Sequence, residues 1–215
     1  MAAKSNLTNM VLVLGLTCLL CSAILGGAYV LTKEPIDAAA AEKTNRAIAQ
    51  VLPSFESASE RSFVEVYGKD FPYYEAKSGE DLVGYAIEST VVGFGGNLTV
   101  MVGITPDRKV CNTSVLSHSE TPGLGAKCTT DPKFVSQWAG FDPSVKKLTV
   151  KKDGGDVDAI TASTITSRAY ALAVENALAA FDTLQGADAV TGATMSSEAL
   201  IKNVQEGLKY YEEHK

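Results

Sequence analysis

The segments VGYAIESTV (Val83 to Val91) and NLTVMVGI (Asn97 to Ile104), with Gly95-Gly96 between them, decide the fold. In the second segment Leu98, Val100, Val102 and Ile104 fall on one side of an extended chain, the period-two signature of a strand with one buried face. Gly95-Gly96 supplies the backbone freedom of a tight turn, so the two segments read as a hairpin. Working outward, Thr105-Pro106-Asp107 reads as a second turn leading into a strand at Lys109 to Leu116. A short strand is expected at Lys147 to Lys151, and Phe63, Val64 and Val66 suggest a first strand upstream. The fold class that follows is α+β: an antiparallel sheet with packed helices, preceded by one transmembrane helix.

That helix is read from Met10 to Leu31, where no charged residue occurs and Leu, Val, Ile, Ala and Gly dominate. Such a run is long enough to cross the hydrocarbon core. It exceeds a usual signal-peptide apolar region and lacks a clear small-x-small cleavage site. A lipoprotein site at Cys21 is disfavoured because Leu20 stands where a small residue is needed. Lys4 and the amino terminus flank one end, while Lys33, Glu34 and Asp37 flank the other, which leans toward an inside N-terminus. The remaining domain then faces outward. Pro35 followed by alanine-rich Ile36 to Val51 reads as the start of a juxtamembrane helix ending near Pro53.

Composition narrows the function. The net charge is -6 in 215 residues, which gives no electrostatic reason to approach nucleic-acid phosphates or anionic lipid. His118 and His214 are the two histidines, too few for a histidine metal site or a serine triad. Cys18 and Cys21 read as small hydrophobes in the apolar run. Cys111 and Cys128 fall in the polar part and are candidates for a disulfide in an oxidising compartment, although spacing alone does not fix the Cα separation a bridge needs.

The C-terminal third contains a repeat at an offset of thirty residues: VDAITASTITS (Val157 to Ser167) aligns with ADAVTGATMSS (Ala187 to Ser197). Each copy leads into a helical pattern, with Ala171, Val174, Leu178 and Phe181 matching Ile201, Val204, Leu208 and Tyr211. The hydroxyl-rich loop before each helix admits two readings. Ser and Thr commonly cap helices, and a helix N-terminus also offers free N–H groups and a positive dipole end to a phosphate. Capping alone does not explain an Asp six positions before the threonine in both copies.

Asp-x-x-Thr-Gly-Ala-Thr, intact at Asp188 to Thr194 and modified at Asp158 to Thr164, resembles the flavinylation motif on which a flavin transferase esterifies FMN to the last threonine. Glu120-Thr121-Pro122-Gly123-Leu124-Gly125 resembles the flavin-contacting loop of the G subunits of Rnf electron-transport complexes and of the related C subunits of sodium-pumping NADH:quinone reductases. The resemblance implies FMN held by Thr164 or Thr194, with Asp158, Thr161, Ser163, Ile165, Thr166, Glu120, Thr121, Gly123, Leu124 and Gly125 around it. It implies a redox subunit of an ion-translocating complex between ferredoxin and NAD, partnered by other membrane subunits, at a bacterial inner membrane. The chain has no cysteine cluster for iron–sulfur ligation and no G-x-G-x-x-G, so NAD and ferredoxin sites belong elsewhere. The corresponding division is a cytoplasmic 1–9, a transmembrane 10–31, a juxtamembrane 32–53, an FMN-binding domain 54–182 and a C-terminal repeat 183–215.

Two arguments bear on the modified residue. Gly192-Ala193 keeps the small pair of the motif and favours Thr194, whereas the helix after Thr164, Tyr170 to Phe181, is apolar nearly all round and belongs in the core. Alanine in place of glycine at 162 is a mild change if the turn stays within ordinary φ; we expect the flavin on Thr164, with Thr194 second. Alternatives are a flavinylated subunit of a quinone reductase or extracellular reductase, or a membrane-tethered binding domain whose hydroxyls only cap helices.

Overall fold

The computed structural model describes residues 7–192 and divides the chain into two units, Met1–Arg46 and Ala47–Lys215. The first is helical. Helix α1 spans Leu7–Val51 and contains Pro35, so it runs through the proline where a second helix start was expected. Good helix formers on both sides, apolar residues before and Ala38 to Ala41 after, hold the helix across the missing N–H. Residues 10–31 extend about 33 Å at 1.5 Å per residue, enough for a bilayer core of about 30 Å. Met10, Leu14, Leu20 and Leu25 are exposed, as a lipid-facing segment requires.

The second unit is built on a six-stranded antiparallel sheet of β1 (Ser57–Ala58), β2 (Ser62–Val66), β3 (Lys69–Ser78), β4 (Asp81–Val92), β5 (Asn97–Ile104) and β6 (Val110–His118). The order is β1-β3-β4-β5-β6, with β2 also on β3. The hairpin read from the sequence is β4 and β5, in register from Tyr85 opposite Ile104 to Val92 opposite Asn97. Its turn closes through Gly93 N–H donating to Gly96 O at 2.8 Å, with Gly96 at φ 139°, a conformation that favours glycine. Strand β3 was not expected. Pro72 within it removes a backbone donor and Lys69, Asp70, Glu75 and Lys77 break its alternation, so it does not read as a strand locally.

Alternation sorts the side chains to two cores. Tyr85, Ile87 and Val91 of β4 join Leu98, Val100, Val102 and Ile104 of β5 in the larger core. There they pack with helix α3 (Thr164–Gly192) through Ala173, Val174, Ala177 and Phe181. Ala86 and Met101 point into the smaller core with Ala47, Ile48 and Val51 from the end of α1. Short helix α2 (Pro132–Ser136), capped by Asp131 accepting from Lys133 N–H and Phe134 N–H, sets an aromatic group against α3. In that group Trp138 stacks on Tyr170 at 5.1 Å and Phe134 meets Tyr170 edge-on at 5.1 Å.

Two expectations fail here. Lys147 to Lys151 forms no strand; Val150 makes a single parallel bridge to Val157, and a 3-10 turn follows at Lys151–Asp153. The second copy of the repeat does not open with a loop, because α3 continues through Asp188 and Gly192. Ala187 to Val190 suits a helix and Gly192 comes too late to stop it earlier. Thr194 and the rest of that copy lie outside the described residues.

Candidate functional site

Strand β6 delivers the chain to the loop that begins at Ser119. Thr121 O accepts from both Leu124 N–H and Ala126 N–H at 3.2 Å, which folds Thr121 to Gly125 into a tight bend leading to a 3-10 turn at Gly125–Thr129. Further along, the chain turns again before α3: Ser163 N–H donates to Ile160 O at 3.0 Å and Ser167 N–H to Ser163 O at 3.0 Å. The two bends line one cavity of about 360 Å³, walled by Phe94, Glu120, Thr121, Leu124, Gly125, Ala162, Ser163, Thr164, Ile165 and Thr166. That volume is within the ~300–1,000 Å³ usual for small-molecule sites.

The three hydroxyls crowded at the head of α3 do different work. Ser167 is buried, accepts from Ile160 N–H at 2.9 Å and donates to Ser163 O at 2.9 Å, so it closes the turn. Thr166 is buried and donates to Glu120 Oε2 at 2.9 Å. Thr164 is half-buried, lines the cavity, and receives Lys152 Nζ at 3.4 Å. Ser167 therefore closes the turn instead of capping the helix, and Thr164 is left facing the cavity. Lys152 is set in place by its neighbours: Lys151 pairs with Asp158 at 2.8 Å, and Asp153 takes Arg168 in a two-pronged contact at 2.7 and 2.8 Å. That contact with Arg168 holds the Asp153 carboxyl below the usual carboxylate range.

The turn at Ala162 departs from the ordinary φ expected of it. Its φ is +63°, a left-handed conformation costly for any residue with a Cβ, at the position where the second copy has Gly192. The cavity is built on a strained alanine.

The structure gathers most, not all, of the residues singled out above. Glu120, Thr121, Leu124, Gly125, Ser163, Thr164, Ile165 and Thr166 line the cavity, whereas Asp158, Thr161 and Gly123 do not. Asp158 is exposed and pairs with Lys151; its backbone N–H donates to Gln137 Oε1 at 2.7 Å and its carbonyl accepts from Gln137 Nε2 at 3.2 Å, fixing the approach to the turn. Phe94 and Lys152 were missed. Phe94 sits in the hairpin turn, where no alternation marks it, and Lys152 is one of two adjacent lysines of which only the fold distinguishes the second.

The candidate disulfide is not formed in this structure: Cys111 and Cys128 are both free thiols. Cys111 is the extra residue of a β-bulge in β6, between Val110 opposite Ile104 and Asn112 opposite Gly103, while Cys128 is buried in the larger core. Burial, then the charge of Glu120, pushes the Cys128 thiol up to about 11.

The cavity fits FMN by the chemistry of its walls. Phe94, Leu124, Ala162 and Ile165 offer apolar surface to a flat ring system. At one end the first-turn N–H groups of α3, which have no intrahelical acceptor, stand with Lys152 as an anion site for a phosphate.

Comparison with known proteins agrees. Residues 93–179 match the family model described as an FMN-binding domain. The G subunit of an ion-translocating oxidoreductase complex from Haemophilus influenzae is 36% identical over 172 residues, covering 74% of this chain and 82% of that protein. The G subunit of a proton-translocating ferredoxin:NAD(+) oxidoreductase complex from Clostridium ljungdahlii is 32% identical, covering 80% and 90%. The crystal structure of the C subunit of the Na(+)-translocating NADH-quinone reductase from Parabacteroides distasonis superposes with a TM-score of 0.49 at 20% identity, covering 67% of this chain and 92% of that one. With its FMN-binding domain and its long apolar N-terminal helix, this chain belongs to the G-subunit family of ion-translocating oxidoreductase complexes.

Proposed function

We propose that the chain is the electron-carrier subunit of a membrane complex that passes electrons between ferredoxin and NAD, coupled to sodium or proton movement. It carries FMN as a phosphoester on Thr164, installed by a flavin transferase, and its flavin domain faces the outer side of the membrane. The observation that carries this reading is the division of labour among the hydroxyls: Ser167 and Thr166 are committed to the protein, and Thr164 faces a cavity of flavin size beside Lys152.

FMN supplies the electron-transfer chemistry when bound. The residues of this chain position it. The N–H groups of Thr164, Ile165 and Thr166 and the Lys152 ammonium would hold its phosphate, as charge-assisted donors at a helix N-terminus do. Phe94, Leu124 and Ile165, exposed apolar side chains that line the cavity, would cover the ring against water. No general acid or base is required of the chain. The outward placement is supported by the basic flank of Lys4 and the amino terminus before the apolar segment, set against the mixed flank of Lys33, Glu34 and Asp37 after it.

The test is direct. Thr164→Val removes the hydroxyl at nearly constant shape; flavin fluorescence of the acid-denatured protein on a gel then disappears. Undiminished fluorescence in that variant, with loss in Thr194→Val, moves the ester to Thr194.

A further inference from the structure

Glu120 is 5% exposed, yet among the described residues it makes no ion pair. Oε1 accepts from Phe94 N–H at 2.9 Å and Oε2 from Thr166 Oγ1 at 2.9 Å. One carboxylate thus ties together the β4–β5 turn, its own loop and the first turn of α3, the three segments that wall the cavity. The chain makes room for it: a Cβ on Gly93 would overlap Oε1, and a Cβ on Gly125 would overlap Oε2 and crowd Thr166 Oγ1. A clamp of this kind could be made by a neutral amide. Burying a carboxylate without a counter-cation is costly, and both of its partners here are donors suited to a negative acceptor.

On the reading that FMN occupies this cavity, we propose that Glu120 tunes the flavin as well as shaping its site. Each carboxylate oxygen already accepts from a protein donor, which fixes the orientation of the carboxylate in the cavity wall. Its fixed negative charge at the cavity opposes the arrival of electrons there, and the low dielectric of the buried site carries that effect further than water would allow. Glu120 therefore holds the midpoint potential down.

Four variants of the full chain separate charge from shape and from flavin loading. Glu120→Gln keeps an acceptor for Phe94 N–H and removes the charge. Thr166→Val breaks the contact to Oε2 and leaves the charge. Glu120→Asp keeps the charge on a shorter arm. Redox titration at matched potential is expected to show at least tenfold more reduced flavin in Glu120→Gln than in wild type, about 30 mV for a two-electron couple, with Thr166→Val and Glu120→Asp within threefold of wild type. Equal shifts in Glu120→Gln and Thr166→Val, or no shift in Glu120→Gln, overturn the proposal. If Glu120→Gln fails to fold, a tenfold shift in either charge-retaining variant overturns it, and unchanged potentials in both uphold it.

The fourth variant gives a readout without flavin. In a chain whose sole cysteine is Cys128, made unable to load flavin by Thr164→Val, Glu120→Gln lowers the pH at which the thiolate absorbance rises; an unchanged titration overturns the claim that Glu120 is a source of field. A wild-type protein without flavin counts against the FMN reading itself, and the thiol titration still reports on the charge.

Discussion

The 3-10 turn at Gly125–Thr129 separates two cavities of similar size and opposite character. Gly125 lines the first, of about 360 Å³, with Phe94, Leu124 and Ile165; Cys128 and Thr129 line the second, of about 390 Å³, with Gln50, Asn112, Thr113, Ser114 and Tyr170. In the second, the polar groups satisfy one another: Asn112 Nδ2 donates to Gln50 O at 3.2 Å, Ser114 Oγ to Gln50 Oε1 at 3.1 Å, and Tyr170 OH to Thr113 Oγ1 at 2.8 Å. In the first, apolar walls end at a helix N-terminus and a lysine whose direct contact is a threonine hydroxyl. Volume does not distinguish a site from a surface cleft. What distinguishes them is whether the polar groups are directed at one another or at the space between them.

The largest expected effect on that contrast comes from filling the space reserved for Glu120. Gly125→Ala places a methyl against Glu120 Oε2 and Thr166 Oγ1, a small-to-large change costing about 2–3 kcal/mol. We expect a lowered denaturant midpoint and reduced flavin content. A substitution with normal flavin content would mean that the clamp does not shape the first cavity.

Titration separates the cavities next. In the folded chain the Cys128 thiol lies at about 11 against an ordinary 9.0, so the folded state retains its proton where the unfolded state has lost it. Stability from this group is complete below pH 9, declines between pH 9 and 11, and is lost above, an effect of roughly 2 kcal/mol. Cys128→Ala should flatten that part of the pH–stability curve without lowering flavin content. Flavin loss in this variant would place Cys128 in the function of the first cavity.

The smallest effect has the opposite sign. Ala162 sits at φ +63°, where glycine carries no Cβ penalty. Ala162→Gly should stabilise the domain by about 1 kcal/mol and raise Tm by about 3 °C, with flavin loading retained. Destabilisation would show that the alanine methyl, which faces the first cavity, contributes more by packing than it costs in strain.

Much of this molecule was legible before its structure. The hairpin at Val83 to Ile104 reads directly because one buried face imposes period two, and the apolar helix because a bilayer imposes length. Most cavity-lining residues on both bends were legible through their resemblance to a flavin site, whereas local preferences alone read only a Pro-Gly turn and a hydroxyl-rich helix start. Strand β3 escaped because Pro72 and its charges are tolerated only through pairing with β2 and β4.

By itself the sequence determined the elements whose causes are local: an uncharged helix from Met10 to Leu31, alternating strands, and two hydroxyl-bearing bends that resemble a flavin site. Tertiary structure decided everything that depends on distant partners. Thr164, Thr166 and Ser167 are chemically alike in the sequence, and only the positions of Glu120, Ile160 and Lys152 assign one to the cavity and two to the protein. The same holds for Cys111 and Cys128, whose separation along the chain says nothing about the bulge and the core that keep them as thiols. Hydrogen bonds reach only about 3 Å, so the role of a hydroxyl or a thiol is settled by which groups the fold brings within that distance.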